Sequence, residues 1–213
     1  MIRAYDKLYL DKAMKTLAQM LDYAVYDLKY DITSFFDLFL TSGVAFLFEN
    51  GDANTIAGRS GVELAWEVLN RSGIDYERIT PTSASDRSEE YWAGWALTYY
   101  QWETSMPFAD IVRCVPVKDI VSLYHPYHEM DIRQFVDCMN DLIRRAQPDT
   151  NLKRLRMQSG FSQSQLAEAS GVPVRTIQQY EQRQKNINKA QAEYLVMLAA
   201  ALHCGPSDLL ERI

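Results

Sequence analysis

The chain has 213 residues, 47% of them apolar, which is enough to enclose one large core or two smaller ones. Its net charge of −6 is unevenly spread: residues 1–148 carry 14 Lys/Arg against 22 Asp/Glu, whereas residues 149–213 carry 8 against 6. No apolar run reaches the roughly 18 residues that span a bilayer, charges interrupt the N-terminus where a secretory signal would be apolar, and Cys114, Cys138 and Cys204 are too few and too scattered for a disulfide framework, so a cytoplasmic chain is expected.

Helical periodicity dominates from the start. Leu10, Met14, Leu17, Leu21, Val25 and Leu28 recur at intervals of four and three, which predicts a helix from Asp6 to Lys29. Asp31 and Thr33 offer caps for a second helix through Phe35, Phe36, Leu38, Phe39 and Leu40, which Gly43 bends or ends. Asn50-Gly51 makes a turn, and Ser60-Gly61 leads into Val62–Leu69, closed by Ser72-Gly73. Residues 75–87 are polar and aperiodic, so they read as a loop. A helix over Ser88–Glu103 follows, with Trp92, Trp95, Tyr99 and Trp102 spaced three, four and three along one face. Short helices are expected around Phe108–Cys114 and Val117–Leu123, then a long one from Glu129 to Ala146. The breaker Gln147-Pro148 coincides with the change in charge balance. It divides the chain into an acidic helical domain, 1–147, and a second domain, 151–213. With no β-alternation, the fold class is all-α.

The C-terminal segment parses into five short helices: Leu152–Gln158, Gln163–Ser170, Val174–Gln182, Lys189–His203 and a last one at Asp208. Ser162 is the expected N-cap of the second and Asn188 of the fourth, with Ser207 starting the last. Gly171 suits the left-handed turn after the second, and Pro173 fixes the entry to the third. Leu166, Ala167, Val172 and Ile177 are the apolar positions where the second and third helices cross. Leu195, Leu198, Ala199 and Leu202 would complete that core.

These residues resemble the XRE/Cro, lambda-repressor-like family of helix-turn-helix domains. The resemblance runs through Leu152-x-x-Leu155-Arg156, Gly160-Phe161-Ser162-Gln163, Gln165-Leu166-Ala167, Gly171-Val172, Thr176-Ile177, Tyr180-Glu181 and Ser207-Asp208-Leu209-Leu210. Two positions depart from it: Arg183 stands where the family often has glycine, and Pro173 where serine usually caps the recognition helix. The resemblance implies a five-helix domain that reads double-stranded DNA, with an Arg156–Glu181 pair tying the first helix to the third. A recognition helix enters the major groove by its N-terminal side chains, here Val174, Arg175, Gln178 and Gln179. Arg175 suits guanine, Gln179 adenine, and Val174 a thymine methyl. Gln163 is placed to touch a phosphate or to brace a recognition-helix side chain. Arg183, Lys185, Asn186 and Lys189 would meet phosphates. A homodimer on a double-stranded operator is expected, because one such domain engages only a half-site.

Residues 1–148 resemble no family closely, and no cofactor, metal or catalytic group is expected of them. His125 and His128 flank Pro126 beside Glu129, a weak metal pattern, with His128 better placed as a helix cap. Cys114 and Cys138 read as core thiols. The stripe of Trp92, Trp95, Tyr99 and Trp102 suits core packing or an anchoring surface for a protein partner, with acidic Asp86, Glu89, Glu90 and Glu103 at its ends. The resulting expectation is a transcriptional regulator, in one version the antitoxin of a toxin–antitoxin pair that masks a basic toxin and represses its own operon. In the other version the N-terminal domain senses a small ligand. An enzyme with a DNA-binding tail is the remaining alternative.

Overall fold

A computed structural model describes residues 3–82, 88–146 and 148–211, which fall into two compact units, Met1–Ala146 and Gln147–Ile213. Ser83–Arg87, the end of the expected loop, lies outside the described residues and takes Asp86 with it. All regular elements among the described residues are helical.

In the first unit, α1 (Leu10–Tyr26) is the central element and packs on α5 (Gly61–Arg71) and α6 (Glu89–Thr104). It is shorter than its periodicity predicts. Asp6 accepts from the Leu8 N–H at 2.8 Å and caps a separate 3-10 turn, Lys7–Tyr9, while Lys29 takes a left-handed φ of +61°. Ala13, Leu17, Ala18, Met20, Leu21 and Ala24 of α1 are essentially inaccessible. Two glycines permit the approach of its neighbours. A Cβ on Gly61 would lie 2.4 Å from the Met20 nitrogen, and one on Gly94 would lie 2.8 Å from Cα of Ala18.

Between α1 and α5 the chain forms α2 (Ile32–Thr41), capped by Asp31, then α3 (Val44–Glu49) after Gly43 at φ +77°, and a single turn α4 (Ala53–Ile56) capped by Asp52. Phe36, Phe39, Phe48 and Phe108 meet edge to face with centroids 5.5–6.3 Å apart, so aromatic packing adds to burial. Residues 75–82 return along α1: Tyr23 donates to the Ile79 carbonyl (2.7 Å), and the Thr82 N–H and hydroxyl donate to Asp27.

After α6 come α7 (Phe108–Cys114), α8 (Val117–Ser122), the single turn α9 (Tyr124–Tyr127) and α10 (Ile132–Ala146). The long helix expected from Glu129 therefore starts three residues later. Asp131 accepts from the Arg133 N–H (2.8 Å) and sets that start, and the preceding residues close a turn through Met130 N–H to the Tyr127 carbonyl. His125 and Pro126 lie within α9.

The second unit comprises α11 (Asn151–Gln158), α12 (Gln163–Ser170), α13 (Val174–Glu181) and α14 (Ala192–Ala201), with 3-10 turns at Ile187–Lys189 and Pro206–Leu209. Its core is Leu152, Leu166, Val172, Ile177, Tyr180, Ile187, Leu198, Ala199, Leu202 and Leu209, with Ala167 and Leu195 half-buried at its edge. The fourth helix begins three residues later than expected, because Asn188 does not cap it. Asn186 accepts from the Asn188 N–H (2.9 Å), closing the 3-10 turn. The Asn188 amide is spent on the backbone of Glu211 (2.7 and 2.8 Å). The last element is a 3-10 turn, held by Asp208 accepting from the Gly205 N–H (2.8 Å).

Candidate nucleic-acid interface

The order of Ser162, Gly171 and Pro173 builds the turn between α12 and α13 locally. The Ser162 hydroxyl accepts from the Gln165 N–H, and the Gln165 side chain accepts in return from the Ser162 N–H, a reciprocal cap. Gly171, at φ +73°, ends α12 with its N–H on the Ala167 carbonyl (2.8 Å). Val172 is then buried, anchoring the turn, and Pro173 delivers the chain into α13 without a side-chain cap.

One polar network orients the two helices. Glu181 is buried and accepts from Arg156 Nε (2.6 Å) and Nη2 (2.9 Å) and from Gln163 Nε2 (2.7 Å). Arg156 Nη1 also donates to the Phe161 carbonyl (2.7 Å), and the Glu181 carboxylate raises the guanidinium above its ordinary pKa. Gln178 Nε2 reaches Gln163 Oε1 at 3.4 Å. The chain Arg156–Glu181–Gln163–Gln178 thus links α11, α12 and α13, with Gln163 bonded to both Glu181 and Gln178 of α13.

At the solvent end of α13, Val174 and Arg175 are exposed, and Gln178 and Gln179 are half-buried. Arg175, Lys185 and Lys189 are exposed and make no ion pair among the described residues. Arg183 differs from them. It sits at φ +54°, the left-handed conformation that explains why glycine is favoured there in the resembling family, and its Nη2 lies 3.4 Å from Glu211 Oε2. Asn186 is exposed but occupied as a turn cap. Reading the sequence missed Glu211, which also accepts from the Asn151 N–H (2.7 Å). Nothing local marks it, since its partners lie 23 to 60 residues away.

In the first unit the aromatic stripe on α6 largely follows the core-packing expectation: Trp102 is buried with Leu10 and Met14 of α1, and Trp92, Trp95 and Tyr99 pack against the core at its edge. Ala93, Gly94, Ala96, Leu97 and Tyr100 are buried on one face, with Gly94 against α1, and the stripe is centred about 150° round the helix from them. Trp92, Trp95 and Tyr99 are half-buried there. Trp102 is not available as an anchor, which corrects that assignment. Its indole N–H donates to the Tyr5 carbonyl (2.8 Å), Arg3 stacks 4.3 Å over its ring, and it is 4% exposed. Arg3 also pairs with Glu103. Of the other acidic groups at the ends, Glu89 lies 3.3 Å from His125 and Glu90 accepts from the Tyr26 hydroxyl.

Among the described residues no three His, Cys, Asp or Glu side chains come together as a metal site, and no helix is long and apolar enough to cross a membrane. Residues 152–209 match the model of the helix-turn-helix family, and no curated protein or solved structure matches the chain.

Proposed function

With residues 152–209 identified as a helix-turn-helix domain of the kind DNA-binding transcriptional regulators carry, we propose that this protein is a sequence-specific regulator and the antitoxin of a toxin–antitoxin pair. The observation that carries the DNA-binding half is the start of α13, where Val174 and Arg175 face solvent while the Glu181 network holds the helix rigid behind them. Rigid support of a base-reading helix is what direct readout needs. Arg175, Gln178 and Gln179 read bases, and Lys185 and Lys189 hold phosphates. Arg183 joins them only by exchanging Glu211 for a phosphate. Two copies on a palindromic operator place two α13 helices in successive major grooves, and occupancy represses the operon.

The antitoxin half rests on the acidic first unit, in which residues 1–148 carry eight more acidic than basic groups and Trp92, Trp95 and Tyr99 remain half-exposed. Such a surface suits a basic protein. The test is recovery of the tagged full chain from its host with whatever binds it. A single stoichiometric small basic protein encoded beside this gene, toxic when expressed alone, supports the reading. Stoichiometric recovery of nothing overturns the antitoxin half and leaves DNA binding standing. A ligand-sensing regulator is then the reading to pursue, favoured by an aromatic cleft in the same unit.

A further inference from the structure

The first turns of α6, the single turn α9 and the entry to α10 enclose a cleft of about 290 Å³, walled by Tyr91, Trp92, Trp95, Tyr124, Tyr127 and His128. Its volume lies at the small end of the range for ligand sites. We propose that this cleft binds a compact organic ammonium cation through its aromatic faces.

Three observations converge on that chemistry. Two of the walls cross rather than face one another. Trp92 meets Tyr124 at 79° with centroids 5.8 Å apart, and Trp92 is backed by Phe135 at 5.4 Å. Tyr124 stacks on His128 at 4.2 Å and 20°, so the two rings cover each other on one face. A flat ring ligand needs two parallel walls, which the crossed Trp92 and Tyr124 do not offer it, whereas an aromatic lining attracts a rounded cation. Two carboxylates stand beside the lining, each against a histidine: Glu129 Oε1 lies 3.6 Å from His128 Nε2, and Glu89, one turn from Trp92 on α6, lies 3.3 Å from His125 Nε2. No lysine or arginine lines the cleft, and Arg133, the basic residue just beyond it, lines a different one with Arg3 and Glu103. Finally, the position is held. The His128 ring lies 3.0 Å from the Tyr124 carbonyl, which keeps the stacked pair together on α9.

This inference rests on the ligand-sensing reading and does not depend on DNA binding. Two sources of the cation share the chemistry, a free quaternary ammonium compound and a lysine ammonium presented by a polypeptide. Tryptophan fluorescence of the full chain is titrated with choline, with Nα-acetyl-lysinamide and with the uncharged tert-butyl isostere of choline. The expected result is saturable binding of a cation about tenfold or more tighter than the isostere, and its loss in Tyr124→Leu. The tighter of the two cations assigns the source. Should Tyr124→Leu disturb the helical circular dichroism, Tyr127→Leu serves in its place, and the isostere comparison needs no variant. Equal binding of the isostere, or saturation by neither cation, overturns the assignment. Failure here leaves DNA binding untouched, because no DNA enters the measurement.

Discussion

Glu181 shows how one buried side chain can organise a domain. Its two carboxylate oxygens take three donors from Arg156 and Gln163, with side-chain exposures of 2% for Glu181 and 11% for Arg156. Replacing Arg156 by methionine keeps the volume but strands the carboxylate, at a cost of roughly 3–5 kcal/mol. Thermal denaturation of the Arg156→Met variant, followed in the second unit, should show that loss. A drop of less than about 1 kcal/mol, the scale of a surface pair, would show the pair to be solvated. In the proposed function the groups in front of this network separate by role. Arg175→Ala is expected to cost about 1–3 kcal/mol on the operator and to abolish preference among sequences. Lys185→Ala should weaken operator and random DNA alike and lower the salt slope by about 1. Anisotropy titrations on both DNAs at several salt concentrations distinguish the two patterns. Equal loss on both DNAs for Arg175→Ala would remove it from the base-reading set.

At the scale of elements, α6 carries the main lesson. The apolar spacing of Trp92, Trp95, Tyr99 and Trp102 marks a helix, and the helix is there, but spacing alone did not tell which face packs inward. Close approach to α1 requires small side chains, and Gly94 lies against Cα of Ala18 and the Leu17 carbonyl. Gly94→Ala should therefore force the helices apart and destabilise the first unit by roughly 1–3 kcal/mol, despite the better helix propensity of alanine. Chemical denaturation reads this directly, and an unchanged or raised midpoint would show that α1 can yield. Helix starts were more legible, because caps are local. Asp31 is held below the usual carboxylate range by Lys118 and the Ser34 N–H, Asp52 by the Thr55 hydroxyl and N–H, and Glu63 by the Ser60 N–H and hydroxyl. A carboxylate depressed in the folded state stabilises it above the unfolded pKa, and that contribution fades as pH falls through the folded value. The melting temperature of the first unit should hold from neutrality to about pH 5 and fall below about pH 4. A fall beginning near neutrality would point to a histidine instead.

Across the whole molecule, charge is divided between two cores. The first 148 residues hold an acidic excess of eight, and the remaining 65 a basic excess of two. The field of the acidic part opposes approach to DNA, so the fragment 147–213 should bind random DNA more tightly than the full chain at low salt. That difference should vanish above about 0.2 M salt, where charges more than about 8 Å apart are screened. Electrophoretic mobility across a salt series checks it, and tighter binding by the full chain at low salt would show that the first unit contributes contacts of its own.

The sequence by itself determined the all-α class, most helix starts, the turn at Gly171 and the helix-turn-helix module, because periodicity, caps and turns depend on residues within a few positions of each other. It also carried the Arg156–Glu181 pair, through a resemblance spread over the whole C-terminal segment. Only the tertiary structure decided that Arg3 and Tyr5 cover Trp102, that Glu211 and Asn188 close the second unit, and that Trp92 meets Tyr124 in an aromatic cleft. Each of these joins groups between 23 and 99 positions apart along the chain, and such pairings follow from which helix faces bury one another, a choice that no local spacing records.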